Sequence, residues 1–492
     1  MFPRIRLSLT LCHSFRRIIQ RGLCLSLSAL ILQCPFATPH AQTIAVWSQG
    51  SAGLSSQAQG EKNAQQLEPA KPIERDLKGG EVHYYQVTLT SGQYLRVVVD
   101  QRGIDVVVTV FVPDGQKFDV NNTNGMQGQE LVTMVTKLSG EYRIEVRAVE
   151  KGAFPGRYEL RIEELREATP QEKARAAAVR AFAGAMSLFL QGEELRSQGT
   201  AESLRKAIKK YEEALPLYRI AAEHPNEFRT LRESIPKLQA RTLQCLGLVC
   251  TLIGENQKAL GYFSQALAIW RTVHDRGGEA DALYSIGFAY SSLGENKKAL
   301  DHLEEALALR RDVRDRAGEA EALTGIGAVY NTLGEKQKAL EYEEQALLVL
   351  RALGARGREA TALSNIGTTY SSLGENQKAL GYFNQALLIF RSLGDRRGEA
   401  IALNNIGAVY SDLGENQGAL EYYNQALPIF QAVGDRRMEG TTLGNIGNVF
   451  NKLGEKQKAL EYYNHALPIL RATGDRRVEA VTLNNIGQIH DS

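Results

Sequence analysis

The chain has 492 residues, 43% of them hydrophobic and 23% charged, and a formal net charge of +2. That length exceeds one ordinary hydrophobic core and implies more than one domain, while the near-balance of charge excludes a nucleic-acid binder working by bulk electrostatics. Of the cysteines, Cys12, Cys24 and Cys34 fall in a segment read as removed. Cys245 and Cys250 lie on one predicted helix, about 140° apart around it at roughly 100° per residue, so they do not bridge; neither a disulfide framework nor a zinc spacing follows.

Residues 1–41 read as an export signal. Arg4, Arg6, Arg16, Arg17 and Arg21 give a basic start, and Gly22–Ala37 is an apolar run too short for a comfortable membrane span. Cleavage is expected after Ala41, leaving an exported protein with no stable membrane span. Residues 42–72 are rich in Ser, Gln, Ala and Gly and predict a disordered tether.

From 73 to 165 the hydrophobic period is two. Tyr85, Val87 and Leu89 alternate with polar residues, as do Tyr142, Ile144 and Val146, and Tyr158, Leu160 and Ile162; Leu95, Val97 and Val99 keep the same step. Turn signals at Ser91-Gly92, Pro113-Asp114-Gly115, Ser139-Gly140 and Pro155-Gly156 separate them, which predicts a small β-sandwich. The runs GIDVVVTVFVPDGQ from Gly103 and LSGEYRIEVRA from Leu138 resemble the bacterial pre-peptidase C-terminal domain, a jelly-roll module of secreted proteins. Some members of that family bind calcium or an extracellular polymer. Asp105 and Asp114 are the residues in question here, and they read as a strand residue and a turn former.

Residues 169–240 turn helical, with Ala207, Tyr211 and Ala214 at the spacing of a divergent first repeat acting as a cap, followed by an irregular insert from His224 to Gln239. From 241 to 480 one unit is written six times. Its glycines stand at Gly247, Gly287, Gly327, Gly367, Gly407 and Gly447, 40 residues apart. A fixed period of this size means a stacked solenoid whose units bury their apolar faces against each other. In the copy from Ile401, Leu403, Ile406, Gly407 and Tyr410 form one helical face. Leu413-Gly414 stops that helix, Asn416 is expected to cap the next, and Ala419, Leu420, Tyr423, Ala426 and Leu427 form the facing stripe. Gly434 ends the second helix and Asp435 caps the first helix of the following copy. Small residues at Gly407 and Ala419 predict a close crossing. Pro216, Pro428 and Pro468 fall inside second helices and predict a kink or break. Residues 481–492 repeat a first helix and stop. Ile486 and Ile489 are expected to face solvent there, the end to fray and promote self-association, and the natural frame to continue.

The set Leu403, Ile406, Gly407, Tyr410, Ala419, Tyr423 and Ala426 resembles the tetratricopeptide repeat (TPR), in the forty-residue variety of kinesin light chains and Pins-type signalling modulators. The resemblance implies a mainly α fold, a right-handed TPR solenoid preceded here by the all-β module. It also implies a concave groove lined by each unit's first helix and holding a peptide or a partner helix.

The sequence contains no His-Glu-x-x-His, Gly-x-Ser-x-Gly, P-loop or dinucleotide fingerprint, which predicts a non-enzymatic protein without cofactor or metal. Candidate groove residues are Leu248, Phe288, Thr368 and Asn448 after the glycine, Asn405 two residues before it, and Asn331 and Asn451 one turn beyond. In the family, asparagine after the glycine can hold a peptide backbone or carboxylate. The same amides can equally bond the neighbouring repeat's backbone, since a half-buried amide needs partners. The repeated Gly-Asp-Arg-Arg places Arg396, Arg397, Arg436, Arg437, Arg476 and Arg477 along one edge, to meet an acidic partner or to pair with Glu399 and Glu439. The expected function is a scaffold that binds an unidentified protein or peptide. Two alternatives stand beside it. One is the sensor part of a longer secreted protein resembling those with a C-terminal caspase-like (CHAT) peptidase domain. The other is envelope or polymer binding through the β module.

Overall fold

The computed structural model describes residues 46–48, 64–120, 127–150, 152–223, 234–474 and 476–490. The leader expected at 1–41 lies outside the described residues. The chain divides into two compact parts, Met1–Pro236 and Lys237–Ser492.

The first part holds ten strands: β1 (Val46–Ser48), β2 (Gln65–Gln66), β3 (Ile73–Leu77), β4 (Val82–Leu89), β5 (Gln93–Arg102), β6 (Val106–Phe111), β7 (Lys117–Val120), β8 (Gln127–Val135), β9 (Gly140–Ala148) and β10 (Gly156–Glu167). They form a sheet of order β1-β7-β6-β9-β4-β2 and a second of order β3-β10-β5-β8. All pairs are antiparallel except β2 with β4. The alternating residues of β4, β5, β9 and β10 point into one buried cluster that both sheets share, as a period of two requires. The stretch read as a tether departs from expectation. It supplies β1 and β2, and Leu67 is buried in the cluster. Both strands exist through pairing with β7 and β4, partners remote in sequence.

A helical hairpin, Pro170–Gln198 and Ala201–Ala222, belongs to the same part. Thr169 caps it through a reciprocal capping box with Glu172. Arg166 at the end of β10 grips Glu172 at 2.8 Å, and Arg180 donates to the Val135 carbonyl at 3.4 Å. These contacts couple the hairpin to the sheets.

The second part is the array. Six helix pairs follow one another: Ser234–Leu252 with Asn256–Thr272, Arg276–Ser292 with Asn296–Asp312, Arg316–Leu333 with Lys336–Ala352, Arg356–Ser372 with Asn376–Leu393, Arg396–Asp412 with Asn416–Ala432, and Arg436–Lys452 with Lys456–Thr473. A single helix, Arg476–His490, comes last. Within a unit the two helices cross at the repeated glycine. A Cβ on Gly407 would lie 2.9 Å from the Tyr423 ring and 3.2 Å from the Ala419 carbonyl oxygen. The same crossing sets Gly247 against Phe263, Gly367 against Phe383 and Gly447 against Tyr463, and these rings are buried.

Between units a second device repeats. From the third unit on, a buried glutamate in the first turn of the first helix meets an arginine of its own turn and a side chain of the preceding second helix, an arginine at Glu319, Glu359, Glu399 and Glu479. Glu359 takes Arg351 at 3.0 Å and Arg356 at 2.7 Å; Glu399 takes Arg391 at 2.9 Å and Arg396 at 2.6 Å. Glu439 takes Arg436 at 2.6 Å and Gln431 at 3.3 Å. Arg397 pairs with Asp435 of the next unit at 2.7 Å. The edge arginines Arg396, Arg397 and Arg436 are thus held within the array.

Three local expectations are corrected. Asp435 caps as expected, accepting from the Met438 amide, but Asn416 does not cap. The helix begins at Glu415, whose carbonyl already accepts from Ala419, so Asn416 stands one residue inside, its side-chain oxygen buried without a partner among the described residues. Pro216, Pro428 and Pro468 break nothing; all three helices run through them. Each proline frees the carbonyl four residues back, on Glu212, Asn424 and Asn464, and these residues are exposed, so water satisfies the acceptor. At the final helix, Ile489 is buried against Ala459 and Tyr463, with Ile486 packed beside it. The exposed apolar residues are Val481 and Leu483 instead. Leu483 holds the position of Leu403 and Leu443, which their own second helices cover. Cys245 and Cys250 form no disulfide.

Gly407→Leu is expected to destabilise the array by about 1–3 kcal/mol, because ring and carbonyl leave no room for the side chain. Gly487→Leu, where nothing lies within 4 Å of an added Cβ, is expected to be neutral or slightly stabilising. Urea unfolding of both variants checks this; equal midpoints would contradict the crossing.

Candidate functional site

The first helices of successive units approach one another more closely than the second helices do. Their shared face is therefore the inner one, and the residue after each glycine lies on it. Leu248 and Phe288 are half-buried there, with Leu252 53% exposed one turn beyond Leu248. Sister units carry Ser292, Thr332 and Ser372 at the Leu252 position. Thr368 is exposed, but its hydroxyl donates to the Ser364 carbonyl of its own helix at 2.9 Å.

The asparagines divide into two groups. Asn448 is held by the array: its Oδ1 accepts from the Tyr463 hydroxyl and from Asn485 Nδ2, each at 2.7 Å. Asn404, which sequence reasoning passed over, accepts from the Thr442 hydroxyl at 3.1 Å and from Asn445 at 3.4 Å. These bonds tie first helix to first helix across a junction. The partners are side chains of the neighbouring unit, rather than the backbone expected from the sequence. Asn405 and Asn451 are half-buried and make no side-chain hydrogen bond among the described residues.

Asn331 leads to a group that sequence reasoning missed. Its Nδ2 donates to Glu343 at 3.0 Å and to the Thr369 hydroxyl at 2.7 Å, and Lys336 Nζ donates to its Oδ1 at 3.1 Å. Glu343 occupies the place under the crossing glycine where sister units have Phe263, Leu303, Phe383, Tyr423 and Tyr463. It is buried, and burial pushes its carboxyl up to about 7, against the lowering effect of the bonds from Thr369 and Asn331 and the charge of Lys336. The Thr369 hydroxyl completes the network, donating to Glu343 at 3.0 Å, with the Asn365 carbonyl as its other acceptor at 3.2 Å. The signal was present in the sequence as an acid where every sister is apolar or aromatic. Similarly, His302 fills a column position held by Tyr342, Tyr382, Tyr422 and Tyr462, and stacks on Tyr290 at 5.5 Å.

Among the described residues no group of three or more His, Cys, Asp or Glu is placed to hold a metal ion. None of the described helices is long and apolar enough to cross a membrane.

Because the folded-state pKa of Glu343 lies above its ordinary value of 4.5, the folded array binds this proton more tightly than the unfolded chain. Its contribution is fully present below about pH 4.5 and is lost as pH rises through about 7. At roughly 1.4 kcal/mol per pH unit the change is about 3 kcal/mol. Unfolding free energies measured from pH 4.5 to 8 are expected to show this fall in the wild type and a flatter profile in Glu343→Gln. Parallel profiles would contradict the assignment.

Comparison with known proteins agrees with this geometry. Residues 238–312, 287–352 and 358–432 match one tetratricopeptide repeat family, and residues 441–468 match another. Among solved structures the chain is similar to BtubC from P. vanneervenii at 24% identity, over 44% of this chain and 92% of that one, with a TM-score of 0.41. It is similar to aspartyl phosphate phosphatase F from Bacillus subtilis at 14% identity, over 60% and 72%, with a TM-score of 0.48. The TPR-like repeats of a kinesin light chain candidate from Podosopora anserina match at 19% identity, over 41% and 98%, with a TM-score of 0.36. No curated protein matches the chain. The helical array, from the unit beginning near residue 238 to the sixth pair, is built of tetratricopeptide repeats.

Proposed function

We propose that the array is a protein-interaction scaffold whose first-helix face takes a peptide or partner helix, anchored at the end near Leu248, Leu252 and Phe288. One observation supports this reading above the others: Leu252 is 53% exposed on the inner face where the sister units have the polar residues Ser292, Thr332, Ser372, Asp412 and Lys452. An apolar anchor beside a polar, hydrogen-bonding stretch suits a ligand with one hydrophobic residue and a backbone to be aligned. Asn405 and Asn451 are the amides available to that backbone, whereas Asn448 and Asn331 act in holding neighbouring units. With an export signal at the N-terminus, the ligand would be met outside the cytoplasm.

Affinity capture with the full chain tests this. A polypeptide is expected to be retained by the wild type and bound at least about tenfold more weakly by Leu252→Glu and Phe288→Glu, the scale of an interface hot spot. Leu252→Glu, an exposed position, should keep the wild-type unfolding free energy within about 0.5 kcal/mol, as surface changes do, and circular dichroism checks that Phe288→Glu is folded. Undiminished retention by the two variants would refute the placement of the ligand.

A further inference from the structure

At the turn between the helices of the third to sixth units, an aromatic pair recurs; in the second, Tyr290 stacks on His302. Tyr330 stacks with Tyr342 at 5.5 Å, Tyr370 with Tyr382 at 5.4 Å, Tyr410 with Tyr422 at 5.3 Å and Phe450 with Tyr462 at 5.4 Å. Over the first ring of each pair lies a lysine ammonium. Lys298 is 5.2 Å from the Tyr290 centroid, Lys338 5.2 Å from Tyr330, Lys378 5.0 Å from Tyr370 and Lys458 5.2 Å from Phe450. The same ammonium meets a carboxylate three residues back: Glu295 at 2.5 Å, Glu335 at 2.6 Å, Glu375 at 2.6 Å and Glu455 at 2.5 Å. Ring face and carboxylate together make a two-sided seat for an alkylammonium.

The fifth unit has the seat without the lysine. Gly418 stands where the lysine would be, in Gly-Glu-Asn-Gln-Gly against Gly-Glu-Asn-Gln-Lys in the fourth unit. The two rings stay stacked, and a Cβ added at Gly418 would lie 3.2 Å from the Tyr410 ring. Tyr410 and Tyr422 keep an interplanar angle of 12°, the angle of Tyr370 and Tyr382. The Glu415 carboxylate has no ion pair among the described residues. The cation reaching over from the sixth unit, Lys452, is committed to Ser411, whose carbonyl and hydroxyl it bonds at 2.8 and 2.9 Å.

We propose that Tyr410, Tyr422 and Glu415 form a seat for a lysine side chain supplied by a polypeptide partner, at the turn of the fifth unit. The four filled seats define the ligand: a primary ammonium on an unbranched alkyl stem, its nitrogen held over the ring. This site does not rest on the inner-face reading, and either can fail without the other.

Fluorotyrosine incorporated into the full chain and followed by 19F NMR tests it, with the peptide acetyl-Gly-Lys-Gly-amide as probe. The Tyr410 resonance, assigned by its loss in Tyr410→Phe, is expected to shift saturably. Half-saturation is expected on the order of 100 mM for one exposed seat. The Tyr330 and Tyr370 resonances, already covered, should not move. Gly418→Lys should abolish the response, and Glu415→Gln should weaken it by roughly threefold or more. Lys378→Gly should make Tyr370 respond as Tyr410 does. An unmoved Tyr410, a response retained in Gly418→Lys, or an equal shift with the norleucine peptide would overturn the proposal. An equal shift with tetramethylammonium would overturn the lysine assignment, since that ion carries the charge without the stem.

Discussion

The array depends on how closely two helices cross at one glycine. A solenoid has no common centre, so each unit must be covered by its own second helix and by its neighbours. Gly407 lets the Tyr423 ring and the Ala419 backbone come within contact of the first helix. At native packing density that approach fixes where every other side chain can reach. It sets the distance from which Arg391 and Arg396 meet Glu399, and it aligns first helices so that Asn404 meets Thr442 and Asn448 meets Asn485. The ion pairs and amide bonds are consequences of the spacing, and they lock each unit's rotation against the next.

Much of this was legible because the sequence states it six times. The forty-residue period, the glycine and the facing stripe gave two helices per unit with the correct buried face, and Asp435 was correctly placed as a cap. What escaped were features decided by partners outside the local window. Asn416 and the true cap differ by one residue, a shift that depends on how Gly414 and Glu415 turn the chain. The prolines were tolerated because Asn424 and its equivalents face water. β1 and β2 exist only through pairing with β7 and β4. Asn448 was legible as a polar inner-face residue, but its partners, Tyr463 and Asn485, belong to the next helix and the next unit. An amide's exposure cannot be read without them.

The departures from the repeat were the underused signal. When five units show an apolar or aromatic residue at one position, the sixth's choice is a measurement of that site against its own controls. Glu343 marks a polar junction between the third and fourth units, Gly418 an open seat in the fifth, and Leu252 an apolar residue on an otherwise polar row. None of the three is unusual as a residue type. Each is informative because its sisters show what the geometry accepts.

Glu343 and Glu359 make the point in physical terms. They are the same residue, each 4% exposed, 16 positions apart in one junction. Glu359 meets two guanidinium groups, from Arg351 and Arg356, which offset the cost of burying its charge. Glu343 meets an amide and a hydroxyl, with the Lys336 ammonium directed to Asn331 instead. Burial then dominates and raises the carboxyl's pKa to about 7. In a chain of nearest-neighbour contacts such a junction acts locally: its proton changes the coupling of the third and fourth units and leaves the other interfaces as they were. Repetition therefore gives the array its stability, and single exceptions give it positions that can respond separately.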